Sequence, residues 1–139
     1  MTLVVADVRN NPSTPSVSAK TYKPDQLIAG RLPQITDSVI LISGSGVVIR
    51  GTVLGVITAS GKYAVSTTAA TDGSQNPAAV LVDDYDATSA DVSVGVYEMG
   101  EFNERALTIG AGWTIAALKP LLRLRGIYLK HSVSAADPT

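Results

Sequence analysis

The sequence predicts a mainly β fold with one short C-terminal helix (α+β). Short segments rich in Val, Ile and Thr recur along the chain, and turns rich in Gly, Ser, Asn and Asp separate them, a pattern typical of β-strands. Hydrophobic residues make up 45% of the 139 residues but aromatic residues only 5%, so the core must be built from Val, Ile, Leu and Ala. A single segment near the C-terminus has a helical period instead.

Three regions differ in composition. Residues 1–20 are predicted to form an extended N-terminal arm, residues 21–131 a single domain, and residues 132–139 a polar C-terminal tail. Apart from Thr2–Val5, the arm is rich in Asn, Pro and Ser and cannot bury enough surface to fold alone. An extended arm with a β-prone tip can add a strand to the edge of a partner's sheet; the alternative is a disordered terminus.

The first two thirds of the chain are predicted to contain strands separated by turns. Thr52–Thr58 is apolar on both alternating faces, which indicates a strand covered on both sides. The loop Thr71–Pro77 and the acidic turn Asp83–Asp86 carry turn residues. The predicted strands up to this turn are Ile35–Ile42, Val47–Ile49, Thr52–Thr58, Tyr63–Thr67 and Ala78–Val82.

The last third contains a strand, the helix and a final strand. Val92–Met99 alternates as a half-buried strand does, Gly100–Arg105 is predicted to turn it, and Leu107–Ile109 to pair briefly. Ile127–Lys130 is predicted as the final strand.

The helix is predicted over Thr114–Arg125. Thr114 suits the N-cap and Gly126 the C-terminal stop, whereas Pro120 predicts a kink or a later start. The residues predicted to share one apolar arc that packs onto the sheet are Ile115, Ala117, Leu118, Leu121, Leu122 and Leu124.

No phosphate-binding loop or EF-hand motif has the residue spacing that its chemistry requires. The glycines of Ser43–Gly46, Gly61 and Gly110–Gly112 lack the residues and the following helix that a phosphate loop needs, so they indicate hairpins and corners. The carboxylates Asp83, Asp84, Asp86 and Asp91 do not fit an EF-hand, because Ser89 and Gly95 stand where Gly and Glu are required. They indicate a charge-rich turn between two strands; the alternative is an irregular calcium site. With no Cys and with His131 as the only His, we expect no catalytic residue, metal or cofactor.

Charge is uneven along a chain whose formal net charge is −1. All seven charged residues from Asp83 to Glu104 are acidic, and all five from Arg105 to Lys130 are basic. We interpret them as solvated faces that pair with each other or with a neighbouring subunit; the alternative is a nucleic-acid patch. No apolar run reaches the roughly 18 residues of a membrane span, and we expect no signal peptide.

The central part of the chain resembles a known family. The segments that carry the likeness are Arg50–Gly55, Gly61–Tyr63, Asp72–Pro77 and Asp83–Thr88, flanked by Tyr22–Gly30, Gly100–Glu104 and Leu124–Ile127. In their order and spacing they resemble the head decoration proteins of tailed phages, the family of phage lambda protein D. The resemblance extends over residues 19–131.

The resemblance implies a β-clip-like decoration-protein fold and a structural role. It implies a homotrimer on the outer surface of a phage head, made in the host cytoplasm, that binds and stabilises the major capsid protein lattice, with no nucleic acid or membrane as partner. The residues expected to bind the capsid are Leu3, Val4, Val5, Tyr22, Lys23, Pro24, Leu27 and Ile28.

Two other functions are compatible with the residues alone. A small β-barrel ligand- or nucleic-acid-binding module would use the basic stretch Arg105–Lys130 and lose affinity steeply with salt. An enzyme would use Asp83–Asp86 and require a pocket that holds a carboxylate with a displaced pKa.

Overall fold

A computed structural model describes residues 26–131 and shows a mainly β fold with one short helix, as the sequence predicts. The predicted arm (1–20) and tail (132–139) lie outside these residues. The elements are β1 (Ile35–Leu41), β2 (Gly46–Val48), β3 (Val53–Val56), β4 (Tyr63–Val65), β5 (Pro77–Leu81), β6 (Tyr85–Ala87), β7 (Val92–Asn103), α1 (Ile115–Arg123) and β8 (Ile127–Lys130).

Five strands close into a small barrel-like sheet. Their order is β1-β4-β3-β5-β7, and β1 also pairs with β7, which closes the circuit. β8 extends the sheet beyond β7 in parallel. Closure removes most of the open strand edges from this part of the molecule.

β7 joins the barrel to the helix layer and is longer than predicted. Its first part pairs with β1 over Val92–Met99, and Gly100–Asn103 pairs with β8. The predicted turn at Gly100–Arg105 is therefore wrong for its first four residues, because the ladder with β8 and the burial of Phe102 keep the backbone extended. The chain turns at residues 104–106 instead.

The acidic turn Asp83–Asp86 is also shorter than predicted. Tyr85–Ala87 forms β6, which pairs antiparallel with β2 in a separate two-stranded ribbon. Tyr85 and Ala87 place their side chains against the barrel core, where Ala87 is fully buried. The outward side chain between them is Asp86.

Apolar side chains fill two cores on opposite faces of the sheet. Val53 packs in the layer between sheet and helix, whereas the next residue, Leu54, packs inside the barrel. β5 repeats this division with Val80 and Leu81. The prediction that the Thr52–Thr58 segment is covered on both sides is confirmed for β3.

The helix α1 begins where the cap predicts and covers the sheet with only part of its apolar arc. Thr114 is the N-cap, and its side chain accepts a hydrogen bond from the N–H of Ala117. Leu118 and Leu122 are fully buried. The prediction is wrong for the other half of the arc: Ala117, Leu121 and Leu124 face outward, because β5 and β8 lie against the Leu118–Leu122 side alone.

Candidate capsid-binding surface

Most of the predicted capsid-binding residues precede the described part of the chain. Leu3, Val4, Val5, Tyr22, Lys23 and Pro24 lie outside residues 26–131. Leu27 and Ile28 lie within them and show how the chain enters the fold.

Leu27 and Ile28 run antiparallel to the end of β7. The N–H of Ala29 donates to the carbonyl oxygen of Glu101 (2.9 Å), and the N–H of Asn103 donates to the carbonyl oxygen of Leu27 (2.8 Å). In this pattern the main-chain groups of Ile28, which lies opposite Phe102, point away from β7. The segment therefore forms a short antiparallel β-bridge with β7.

Alternate side chains of this segment point in opposite directions. Leu27 is 1% exposed and packs with Phe102 in the core between sheet and helix, whereas Ile28 is exposed. Just before them, Gln26 has φ +53°, a left-handed conformation that is uncommon outside glycine. Leu27 thus serves as a buried anchor, and Ile28 is the side chain of this pair that a partner can touch.

Arg50 holds the ribbon and β7 together next to this anchor. Its Nη1 donates to the carbonyl oxygen of Val82 (2.5 Å) and to the hydroxyl of Tyr97 (3.0 Å). The guanidinium lies 5.7 Å from the centroid of the Tyr97 ring, within range of a cation–π interaction. The main-chain N–H of Arg50 donates to Oδ1 of Asp84 (2.7 Å).

A surface cleft of 390 Å³ opens beside Arg50. Leu27, Ile49, Asp83 and Asp84 contribute to its walls. Oδ1 of Asp83 accepts a hydrogen bond from the N–H of Asp84, and Oδ1 of Asp84 accepts one from Arg50. These carboxylates therefore hold the backbone of the turn, and no described nucleophile or histidine lines the cleft with them.

The four aspartates do not form a metal site. Asp91 pairs with Lys62 (Nζ to Oδ2, 2.6 Å) and accepts a hydrogen bond from the N–H of Ser43. Oδ1 of Asp86 accepts from the N–H and hydroxyl of Thr88. These bonds lower the pKa of both carboxyls, and in residues 26–131 no group of three carboxylate, His or Cys side chains could hold a metal ion.

A second cleft, of 220 Å³, contains Tyr63, Glu98 and Arg125. Burial raises the pKa of the Tyr63 phenol, and the nearby charges of Glu98 and Asp37 raise it further. A phenol held in its neutral form is a poor general base at neutral pH. The shift in the pKa of Tyr63 therefore does not favour a role as a base in this cleft.

The acidic and basic stretches meet at the β7–β8 edge. Lys130 pairs with Glu101 (2.6 Å), and Glu104 pairs with His131 (2.6 Å) and Lys119 (3.5 Å). The hydrogen bond from Lys130 lowers the pKa of Glu101, and the one from His131 lowers the pKa of Glu104. The interpretation that the two stretches pair with each other is confirmed for these residues, and Lys119 and Lys130 are not part of an open basic patch.

Of the glycines tested against phosphate loops, Gly110 and Gly112 are packing corners, whereas Gly44, Gly46 and Gly61 lie in open turns with positive φ. A Cβ on Gly110 would lie 1.9 Å from the main-chain oxygen of Ser66, so only glycine fits there. Gly112 has φ +83° and lies against Thr68. The corner also places the indole Nε1 of Trp113 within hydrogen-bond distance of Ser66 Oγ (3.2 Å), which makes Trp113 a core anchor.

A family model, bacteriophage lambda head decoration protein D, matches residues 17–122. The chain belongs to this family. Within the described residues, the match extends from residue 26 to Leu122 and does not include β8. It includes the predicted contact residues Tyr22–Ile28 but not Leu3–Val5. A search of the curated proteins found no match.

Membership in the head decoration family settles the broad role. This is a structural protein of a phage virion, located on the capsid, and its family is not an enzyme family. Within residues 26–131, no helix is long and apolar enough to cross a membrane.

This decoration protein carries two exposed apolar surfaces that sequence reasoning missed. One is the outward half of α1, where Leu124 is 84% exposed. The other is the outer face of the β2–β6 ribbon, where Val47 is 70% exposed and Ile49 follows it. The signal was present in the helix, whose apolar arc is wider than one sheet can cover, and in the run Val47–Ile49, which has no polar alternation.

Proposed function

We propose that this protein is a cement protein that binds the outer surface of the phage head as a trimer and stabilises the lattice of the major capsid protein. The observation that carries the proposal is the family match over residues 17–122. The protein acts through contacts and carries out no reaction.

Binding is the sum of repeated weak contacts. Three arms on one trimer reach three places on the lattice, so the first contact raises the effective concentration of the others. Each arm, through Leu3–Val5 or Tyr22–Ile28, adds main-chain hydrogen bonds to the edge of a capsid sheet. Such bonds hold neighbouring capsid subunits together without distorting them.

The way in which the chain enters the fold after the arm supports this mode of binding. A force on the arm reaches the body through the two hydrogen bonds that join Leu27 and Ala29 to β7. The buried side chain of Leu27 adds a hydrophobic anchor beside Phe102. A load on the arm is therefore carried by the longest strand of the sheet and its core.

Co-sedimentation with expanded heads that lack decoration tests the proposal. The full-length protein should bind saturably, with a stoichiometry set by the three-fold positions of the lattice. A variant without residues 1–20 should remain folded, as judged by circular dichroism, and lose most of this binding. The charge-neutral variant Ile28→Ser should weaken binding by a smaller factor, because it changes one exposed side chain of each subunit where the chain enters the fold.

The matched control is Ile40→Ser, which changes an isoleucine of similar exposure on β1, outside the Leu27–Ile28 segment. It should leave head binding unchanged. Absence of saturable binding by the full-length protein would contradict the decoration role, whereas full binding by the truncated protein would contradict only the role of the arm.

A further inference from the structure

The outward half of α1 forms an apolar stripe. Ala117, Leu121 and Leu124 are spaced i, i+4 and i+7, so they lie above one another on one side of the helix. Leu124 is the C-cap residue and keeps a helical backbone (φ −64°, ψ −21°), which continues the stripe to the end of the helix. We call these three residues the helix stripe.

Two arginines flank the end of the helix stripe. Arg123 and Arg125 are exposed on either side of Leu124 in the chain. Among the described residues neither forms a salt bridge, although Arg125 shares a cleft with Glu98. The helix stripe is therefore an apolar surface with a positive border.

The outer face of the β2–β6 ribbon has a border of the opposite charge. Val47 lies directly opposite Asp86 in the β2–β6 pairing, so both side chains are on one face. Ile49 and Asp84 come directly after β2 and directly before β6, and both are exposed. We call Val47, Ile49, Asp84 and Asp86 the ribbon face.

The acidic side chains of the ribbon face are held by local hydrogen bonds and not by cations. Oδ1 of Asp84 accepts from the N–H of Arg50, and Oδ1 of Asp86 accepts from Thr88. Within residues 26–131 no lysine or arginine forms a salt bridge with either carboxylate. The ribbon face is therefore an apolar surface with a negative border.

We infer that the helix stripe of one copy docks on the ribbon face of the next copy, and that this contact closes the trimer. Exposed apolar patches with polar rims mark protein interfaces, and the two borders carry opposite charge, which selects the partner and the register. The occupant of each surface is thus a second copy of this chain. The inference rests on the proposed trimer and assigns its contact surfaces.

Symmetry requires two different surfaces for such a contact. A ring of three uses head-to-tail interfaces, in which one patch of each subunit meets a different patch of its neighbour. α1 packs against β5 and β8, whereas the ribbon packs beside β7 through β6. The two surfaces therefore lie on separate elements and can be occupied at the same time.

Disulfide cross-linking tests the inference, because the chain has no cysteine of its own. The double variant Leu124→Cys/Val47→Cys should, on mild oxidation, give a ladder that ends at three covalently joined copies. Each single variant should give no cross-linked product, because like patches do not meet. The reaction is run in solution and again on saturated undecorated heads, so that a trimer formed only on the capsid is also detected.

The control double variant Leu124→Cys/Ser60→Cys places the second thiol in the exposed β3–β4 turn and should give no cross-linked product. A second variant, Leu124→Glu, puts an acid against the acidic border and should abolish the trimer while circular dichroism remains unchanged. Dimers from Leu124→Cys alone, or no ladder from the Leu124→Cys/Val47→Cys variant in either setting, would overturn the inference. If the wild type still binds heads in that case, the proposed function stands.

Discussion

Replacement of Leu122 by alanine should lower the free energy of unfolding by about 3–4 kcal/mol. Leu122 is fully buried between α1 and the sheet. The change removes three buried carbon groups, each worth about 0.8 kcal/mol of transfer free energy, and the cavity left behind adds the rest. In thermal unfolding of a chain of 139 residues, each kcal/mol should lower the melting temperature by about 3–5 °C.

Leu124→Ala is the matched control on the same helix. Because Leu124 is 84% exposed, its truncation should change the free energy of unfolding by less than about 0.5 kcal/mol. Both variants are compared by urea titration at low protein concentration, so that association does not contribute. Equal losses for the two leucines would refute the division of the helix into a buried side and an outward side.

Three further changes test other parts of the structure. Gly110→Ala should strongly destabilise the fold, because its Cβ would meet the main-chain oxygen of Ser66 at 1.9 Å; an unchanged melting temperature would contradict this packing. Thr114→Ala should cost about 1 kcal/mol in a urea titration through loss of the helix cap, and Thr114→Ser should recover most of it. The pKa of Glu104 is lowered by the hydrogen bond from His131 and by nearby Lys119. Its carboxylate therefore stabilises the fold above the unfolded pKa, and this contribution is lost as pH falls through the lower folded pKa. Glu104→Gln should flatten the fall in stability below roughly pH 4.5, and superimposable pH profiles for the two proteins would argue against the ion pairs.

The sequence was sufficient to predict the elements whose conformation depends mainly on their own residues. β3 follows from a segment that is apolar on both faces, and α1 begins at the cap that Thr114 supplies. The sequence pattern was insufficient for segments whose conformation depends on pairing with a strand that is distant in the chain. Gly100–Asn103 has turn composition but stays extended because β8 pairs with it, and Tyr85–Ala87 becomes a strand because β2 lies opposite.

The candidate surfaces show the same limit. The pattern of α1 predicts one wide apolar arc, but only the position of β5 and β8 decides that Leu122 is buried and Leu124 exposed. For the arm exit, the pattern does not distinguish Leu27, which is a core anchor, from Ile28, which is available to a partner. The contact role of Leu3–Val5 and Tyr22–Pro24 remains a prediction.

The measurement that tests the central claim most directly is the rupture of DNA-filled heads on heating, with and without added protein. Undecorated heads should release DNA at a lower temperature, and saturating full-length protein should raise this temperature, whereas protein without residues 1–20 should not. Such a rise, at the occupancy where binding saturates, is the result that a cement function predicts. An unchanged rupture temperature on fully decorated heads would contradict it.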